Sequence, residues 1–417
     1  MSGGGLAREL ERRSPGNWEL YRKRSESREV LSSAAGRRDA IRSEEGWSAR
    51  WWEKEGPRFA AASGEADLAG ALTQSGRLDV PHGAAPRWPA SKSAARENSP
   101  AAAPAPEMFE ALGRLVAAES RGEAVLADLA VRSGSRTERL WNSAGADVSM
   151  RAESVEGVAR ALGRRDGRAC EARSIFFWEG EPALEALARR LSDRATLPLS
   201  ERATPLARGE WLLDPSVGAA LLAAAAPLFT AAPLPPWVQR GQLFSTKVTL
   251  VDDASADAAF DQEATPTRRV VLVDEGTLRA RLHDLASAAD AGTESTGHGV
   301  RPSYRAPPAP RPRRLFFETT RGASPRDLLL AVRRGLFASA LTAPVRVDIE
   351  RDRFEVEFTG VSIVAGRAQG PVAGARARGR LSQLFRRISG ISTDRQFFPC
   401  PYPTGAPTLL VERAEFD

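Results

Sequence analysis

The sequence predicts an α+β fold of two domains, an N-terminal antiparallel sheet with helices followed by a strand-rich domain with a few helices. The chain has 417 residues, more than one ordinary compact domain holds. Short alternating apolar runs separated by turn residues recur along most of it. Clear helical periodicity is rarer, as in Pro182–Ser192 with three leucines on one face. We place the domains at 1–202 and 203–417, with a Pro/Ala-rich linker or surface excursion over 79–107.

The N-terminal domain is predicted to be a meander. Strand-like runs spaced about ten residues apart fill the first 75 residues, with a turn at Glu45-Gly46. A second turn is expected at Ser133-Gly134-Ser135, between two short strands. Strand patterns continue over Asp147–Ala159 and Ala169–Glu179, before the helix at Pro182–Ser192.

The C-terminal domain begins with a short strand and an Ala-rich helix. Gly209–Leu213 reads as the strand, and Pro215 opens a helix that ends near Ala226. We expect a further strand at Leu243–Val251 and a helix capped by Ser324 that runs through Leu336. A strand at Thr408–Arg413 ends the domain.

The net charge argues only weakly for nucleic acid. It is +6, but Arg dominates the basic residues, as expected of a GC-rich genome, and the arginines are spread among 53 acidic residues. We therefore expect no nucleic-acid partner. Two cysteines, Cys170 and Cys400, make no disulfide framework.

No membrane segment is expected. The start of the chain has no apolar region of the secretory type. The apolar run at 217–238 contains four prolines, which fits a buried helix and a connector better than a span. The sequence thus predicts a cytoplasmic protein.

Several loop motifs occur in an order that resembles the TldD/PmbA family. Asp252-Asp253 and Phe260–Arg269 are similar to the family's "FDdEGtPt(q/r)R" stretch, and Ser295–Gly299 is similar to its "sTGnG" loop. The other three matching segments are Trp141–Gly145, Pro371–Gly374 and Gly405–Leu410. Each motif is weak alone because it consists mainly of turn residues. Their common order over about 270 residues makes the resemblance specific.

In the protease branch of the family, a helix of the second domain carries H-E-x-x-H. That spacing places two imidazoles on one helix face to bind zinc, with the glutamate as general base. In our alignment Ala223, Ala224 and Pro227 stand at these three positions. The branch also uses a cysteine near the C-terminal end as a ligand, whereas Cys400 lies about seven residues too close to Pro407 and is read as a coincidence. We predict no metal, no cofactor and no catalytic residue in this chain.

The resemblance implies a non-catalytic subunit of the TldE (PmbA) type. Such a subunit forms a heterodimer with a TldD-like zinc protease that acts on unfolded or modified peptides bound in extended form. In this interpretation the motif residues line the substrate site or have a structural role, and none is catalytic. They are Asp252, Asp253, Asp261, Glu263, Thr265, Thr267, Ser295, Thr296, Gly297 and His298.

Two other classes of function stay open. The chain could be a divergent metallopeptidase or hydrolase with a relocated site. A mixed metal site of His283 and His298 with Asp252, Asp253 or Glu263 can be written down, as can a triad of Ser295, His283 and Asp261. The third class is a peptide-binding scaffold homodimer without a protease partner. The arginine cluster at Arg376–Arg387 is expected to be a solvated face, with an acidic partner as the alternative.

Overall fold

A computed structural model describes residues 3–54, 56–73, 86–91, 96–97, 107–178, 182–199, 206–238, 242–319 and 322–417. The fold class is confirmed: the architecture is α+β with two domains. Most of the predicted linker at 79–107 lies outside these residues, and the predicted boundary at 202 stays a prediction.

The N-terminal part is one sheet with helices on it. Its helices are α1 (Gly4–Arg13), α2 (Glu65–Ala71), α3 (Met108–Glu119) and α4 (Leu184–Thr196). Its strands are β1 (Trp18–Ser33), β2 (Gly36–Glu53), β3 (Gly56–Ala62), β4 (Arg96–Glu97), β5 (Ala124–Asn142), β6 (Asp147–Arg165) and β7 (Arg168–Trp178). In the described residues the sheet has the order β3-β2-β1-β5-β6-β4, and β7 also pairs with β6.

Two separate cores stabilise this sheet. Helices α3 and α4 bury an aliphatic cluster that includes Leu112, Val131 and Leu191. At the other end, α1 and α2 cover a cluster that includes Trp47 and Trp51. Burial of these large apolar side chains is the main favourable contribution to folding.

The predicted turns at Glu45-Gly46 and Ser133–Ser135 are wrong. Glu45-Gly46 lies inside β2, paired with β1, and Ser133–Ser135 lies inside β5, which pairs along this stretch with β1 on one side and β6 on the other. Gly46 has a packing reason instead: a Cβ added there would lie 2.2 Å from the ring of Tyr304. The small residues allow close approach and long pairing, not chain reversal.

The C-terminal part contains the larger core. Its helices are α5 (Pro215–Ala224), α6 (Leu285–Asp290), α7 (Pro325–Ala331) and α8 (Leu381–Arg386). Its strands are β8 (Arg208–Leu213), β9 (Leu250–Asp253), β10 (Arg269–Asp274), β11 (Thr277–Leu278), β12 (Gly299–Val300), β13 (Ala309–Pro310), β14 (Leu315–Phe317), β15 (Arg334–Leu341), β16 (Arg346–Asp348), β17 (Arg353–Val364), β18 (Arg367–Gly379), β19 (Ile388–Ile391), β20 (Gln396–Pro399), β21 (Pro403–Ala406) and β22 (Leu409–Glu415).

Two large sheets enclose helix α5. Over the described residues one sheet has the order β11-β10-β9-β14-β21-β20, and the other has the order β16-β17-β15-β8-β22-β19, with β18 beside β17. The helix touches strands of both sheets, and Val217, Leu221 and Leu222 are buried in their common core. Asp214 caps the helix, accepting a hydrogen bond from the Ser216 amide at 2.8 Å.

Two C-terminal elements differ from their predictions. Of the strand expected at Leu243–Val251, only Leu250 and Val251 lie in a strand, namely β9. The helix expected to reach Leu336 ends at Ala331. Glu210 accepts backbone hydrogen bonds from Arg333 and Arg334, at 2.6 and 3.2 Å, and this directs the chain into β15 beside β8. Tertiary pairing therefore overrides the helical pattern at this point. No helix of the described residues is long and apolar enough to cross a membrane.

Candidate functional site

A cleft of about 450 Å³ lies where the N-terminal sheet meets the C-terminal part. Strands β1, β5 and β6 supply one wall around Ser27, Ser135 and Ser154. The other wall comes from two C-terminal loops, 300–313 and 399–403. The cleft is therefore polar on the sheet side and carries arginines, prolines and Tyr402 on the loop side.

The floor of the cleft is a buried network of charged and polar side chains that joins the two parts. Gln262 donates from its amide nitrogen to Glu138, and Tyr21 donates its hydroxyl to the same carboxylate at 2.7 Å. Burial, followed by the charge of Glu138, raises the pKa of Tyr21 well above its ordinary value. The Tyr21 hydroxyl thus stays protonated and acts as a donor.

Below this floor, two guanidinium groups and two carboxylates form a closed charge cluster. Arg50 donates from Nη2 to Glu263 at 2.6 Å, and its Nε lies 3.0 Å from Glu19. Arg301 also donates to Glu19, and each of the four side chains is at most 5% exposed. Each guanidinium thus lies beside at least one carboxylate, which is the condition under which buried ions are tolerated.

Arg50 is held further by aromatic rings. Its guanidinium carbon lies 5.1 Å from the centroid of Trp52 and 5.2 Å from that of Trp88. Such contacts are favourable for a desolvated guanidinium. Arg50, Glu19 and Arg301 were not predicted as site residues from the sequence. The sequence carries one signal for this cluster. Arg50 lies within the tryptophan-rich run at 47–52, where the packing of a sheet face alone requires no charged residue.

The acidic motif residues bind backbone amides. Asp261 is fully buried and accepts hydrogen bonds from the amides of Glu263 and Thr265, both at 2.9 Å, and of Gly299 at 2.8 Å. Burial raises the pKa of this carboxyl, and the three amide donors oppose that rise. Glu263 accepts the amide of Leu285 at 2.7 Å in addition to Arg50. Burial raises the pKa of Glu263 as well, and Arg50 opposes that rise.

His298 and Asp252 form a buried pair beside this shell. The Nε2 atom of His298 lies 2.9 Å from the carboxylate of Asp252, and its Nδ1 lies 2.9 Å from the carbonyl oxygen of Thr296. Asp252 also accepts the Arg313 amide at 3.1 Å. Both imidazole nitrogens thus have protein partners, and both side chains are fully buried.

The remaining motif residues stabilise loops through local hydrogen bonds and close backbone packing. Thr267 donates to the carbonyl of Ala258, and Asp253 accepts from Ser255 at 2.5 Å. Thr265 pairs with Asp261 through its backbone, and its hydroxyl has no hydrogen-bond partner among the described residues. Gly297 has a φ of 74°, and a Cβ there would lie 2.4 Å from the carbonyl oxygen of Pro266.

The structure does not assemble the alternative triad. Ser295 donates to the backbone oxygen of His283 at 3.2 Å, not to its ring, and Asp261 is engaged by backbone amides. Burial lowers the pKa of His283, so its ring stays neutral near pH 7. The residues considered for a mixed metal site make other contacts: His298 pairs with Asp252, and Glu263 pairs with Arg50.

The helix aligned with the zinc helix lies next to the cleft. Ala223 and Ala224 are half-buried at the end of α5, and Pro227 is exposed in the following single turn. The hydroxyl of Tyr402 donates to the Ala223 carbonyl at 3.2 Å, so the loop with Cys400 packs against the helix end. Burial raises the pKa of the Cys400 thiol to about 11, so the thiol is protonated near pH 7.

The C-terminal half of the chain matches a known domain. Residues 212–417 match the family described as the PmbA/TldA metallopeptidase C-terminal domain. The chain belongs to the TldD/PmbA family. The motif order at 252–299 and 405–410 is therefore that of a TldD/PmbA protein.

Known TldD/PmbA relatives agree with this assignment. A metalloprotease TldD homolog of Haemophilus influenzae is 27% identical over 157 residues, which cover 36% of this chain and 32% of the relative. A second TldD homolog, from Buchnera aphidicola, is 24% identical over 152 residues, 35% of this chain and 31% of the relative. The matches thus span about a third of the length of these curated relatives.

The whole fold is shared with a solved structure. The crystal structure of TldE from Thermococcus kodakarensis superposes with a TM-score of 0.79, at 18% identity, and covers 99% of each chain. At this identity the superposition establishes a common fold for both parts of the TldD/PmbA chain.

Proposed function

We propose that this chain is a non-catalytic, TldE-like subunit that acts with a zinc-bearing TldD-like partner on unfolded or modified peptides. The observation that carries the proposal is the end of helix α5. The positions aligned with two histidines and a glutamate hold Ala223, Ala224 and Pro227. None of these side chains has a lone pair for zinc or a group that accepts a proton.

The geometry of the helix supports the same conclusion. Two histidines four residues apart share a face only while the α-helix continues through both. Here α5 ends at Ala224, and the chain continues as a single turn from Ala226 to Phe229. Cys400 alone cannot form a zinc site, because such sites take three or four protein ligands. Zinc therefore does not fit the residues present, and we derive no catalytic step through it.

The interdomain cleft is the place where we propose that peptide binds. It opens beside the Cys400–Tyr402 loop, which packs on the end of α5. Its sheet wall carries small hydroxyl side chains, and Arg311 and Tyr402 face it from the loops. These groups suit the backbone and polar side chains of an extended peptide. The motif residues at 252–299 then act beneath the cleft, by fixing its floor.

Co-expression with a TldD-like protein tests the proposal. We expect a stable mixed complex that cleaves an unfolded peptide, while this chain alone leaves the peptide intact. A partner variant whose zinc-binding histidines are replaced by alanine serves as the matched control, and its complex should be inactive. Cleavage by this chain alone, or by the complex with the altered partner, would contradict a non-catalytic subunit.

A further inference from the structure

The outer half of strand β2 is an open sheet edge. Strand β3 pairs with β2 from Trp47 to Glu53, whereas residues 36–46 of β2 pair only with β1 among the described residues. All ten residues of Gly36–Glu45 are exposed. An edge of this length presents a row of backbone groups that another strand can pair with. We call Gly36–Glu45 the open edge.

The outward backbone groups belong to the odd-numbered residues. A two-residue turn joins β1 to β2, with Ser33 and Gly36 as the closing pair. In such a hairpin the closing pair exchanges hydrogen bonds, and alternate residues then point to the neighbouring strand. Even-numbered residues of the open edge therefore bond to β1. The N–H and C=O groups of Arg37, Asp39, Ile41, Ser43 and Glu45 point away from the sheet.

The charge pattern of the open edge is complementary to that of a second, antiparallel copy of the same edge. Arg37 and Arg38 stand at one end, and Glu44 and Glu45 stand at the other. In an antiparallel pair about Ile41, Arg37 faces Glu45 and Arg38 faces Glu44, once on each side of the two-fold axis. Opposite charges directly across an antiparallel pair are stabilising.

Ile41 lies at the centre of this arrangement. It is 68% exposed, the highest value among the exposed large apolar side chains of the described residues. Its face of the sheet is that of Val30 and Val131, both buried, and Val131 packs in the core beneath α3 and α4. A second Ile41 across the axis would cover this side chain and extend the apolar face.

We propose that two copies of this chain associate by antiparallel pairing of their open edges, with Ile41 opposite Ile41. The pairing joins two sheets into one and satisfies the outward N–H and C=O groups of the five odd-numbered residues in each copy. Edges that avoid association usually carry charges that repel an incoming copy. Here the charges attract a copy in this register. No residue of the open edge lines the cleft or belongs to α5.

A second copy fits this edge better than an unrelated peptide does. Glu44 and Glu45 already contact Lys23 and Arg22 across the hairpin, at 3.3 and 2.7 Å. Glu44 and Glu45 remain 48% and 40% exposed, so a partner strand gains most if it brings further cations to them and anions to Arg37 and Arg38. An antiparallel copy of the same segment meets both requirements.

The first test is Ile41→Pro, measured by light scattering of the purified chain over a range of concentrations. The N–H of Ile41 points outward, so proline removes an intermolecular hydrogen bond and leaves the bonds to β1 intact. We expect wild type to associate with concentration and Ile41→Pro to show half its limiting mass. Val125→Arg is the control, because Val125 is also exposed, at 56%, but lies on β5.

The second test exchanges charges. Arg37→Glu with Arg38→Glu makes the edge acidic, and Glu44→Arg with Glu45→Arg makes it basic. We expect each variant alone to lose self-association, and an equimolar mixture of the two to recover the wild-type mass. Unchanged association in Ile41→Pro, a wild type that never associates, or a mixture that stays dissociated would overturn the proposal.

Discussion

Arg50 donates from Nη2 to Glu263 at 2.6 Å, across 213 positions of sequence. The contact joins the tryptophan-rich strand β2 to the acidic motif of the C-terminal part. Both side chains are at most 5% exposed. The acidic motif that contains Glu263 thus joins the two parts of the chain beneath the cleft.

The contact with Arg50 makes Glu263 important for the stability of the fold. Glu263→Gln removes the carboxyl group that accepts from Arg50 and leaves Glu19 as the remaining carboxylate beside that guanidinium. Breaking a buried ion pair in this way costs about 3–5 kcal/mol. We expect a loss of that order in the free energy of unfolding, measured by denaturant titration. Asp253→Asn is the control, since Asp253 is only half-buried and its side chain bonds to Ser255; its cost should stay below about 0.5 kcal/mol.

Gly46 tests the second contact between the two parts. Gly46→Ala places a methyl group 2.2 Å from the ring of Tyr304, so the ring must move. Overpacking of this kind costs about 1–3 kcal/mol. Gly134→Ala is the control, because an added Cβ there meets its first neighbour, the Glu26 carbonyl oxygen, at 3.7 Å. Equal melting temperatures for the two variants would show that Tyr304 does not pack on Gly46 as described.

The buried pair of Arg194 and Asp214 predicts a pH dependence. The two groups are 2.6 Å apart and join α4 to the start of α5. Burial opposes ionisation of Asp214, but the charges of Arg194 and Arg190 more than offset this and lower its pKa below 3.8. A lowered folded-state pKa stabilises the fold above pH 3.8, and this contribution is lost as the pH falls through the folded value.

Asp214→Asn isolates this contribution. Asparagine still caps a helix but carries no charge. We expect the variant to be less stable than wild type by about 3 kcal/mol at pH 7. The difference should shrink as the pH falls below 3.8, as followed by denaturant titration at several pH values. A difference that is constant from pH 7 to pH 2 would contradict a charged Asp214 in the fold.

Tyr402 and Cys400 separate a relocated active site from a non-catalytic subunit. Tyr402→Phe removes the hydrogen bond to the Ala223 carbonyl and costs about 1 kcal/mol of stability. We expect Tyr402→Phe and Cys400→Ser each to leave kcat for peptide cleavage by the mixed complex within about twofold of wild type, with any effect on KM, because both residues line the cleft. A hundredfold loss of kcat in either variant would place chemistry in this chain.

The sequence predicted the fold class and the α5 region well, for local reasons. Asp214, Pro215 and the alanine run define a capped helix without tertiary information. The length of β1 and β2 was not predictable in the same way. Their outer halves are exposed and carry no apolar alternation, so pairing along the hairpin decides their extent.

The candidate site was predicted in part, and its missing members are informative. Asp261, Glu263 and His298 were selected from motif order, and all three are buried beneath the cleft. Arg50 and Glu19 were not selected, because their partners in the C-terminal part lie more than 200 residues away and only folding brings them together. Pairing of buried charges across domains leaves little trace in a single sequence.

The arginine cluster at Arg376–Arg387 divides into separate contacts. Arg376 pairs with Glu357 at 3.1 Å, and Arg378 pairs with Asp417 at 2.8 Å. Arg387 donates to the carbonyl of Arg413 at 2.9 Å, on a different surface. Neighbours in sequence therefore do not form one basic patch.

Zinc content of the purified mixed complex tests the central claim most directly. With a TldD-like partner, we expect about one zinc per heterodimer after dialysis, and none when the partner's zinc-binding histidines are replaced. This chain purified alone should contain no stoichiometric zinc. Zinc retained by this chain alone at one per chain, together with cleavage of an unfolded peptide, would contradict the account.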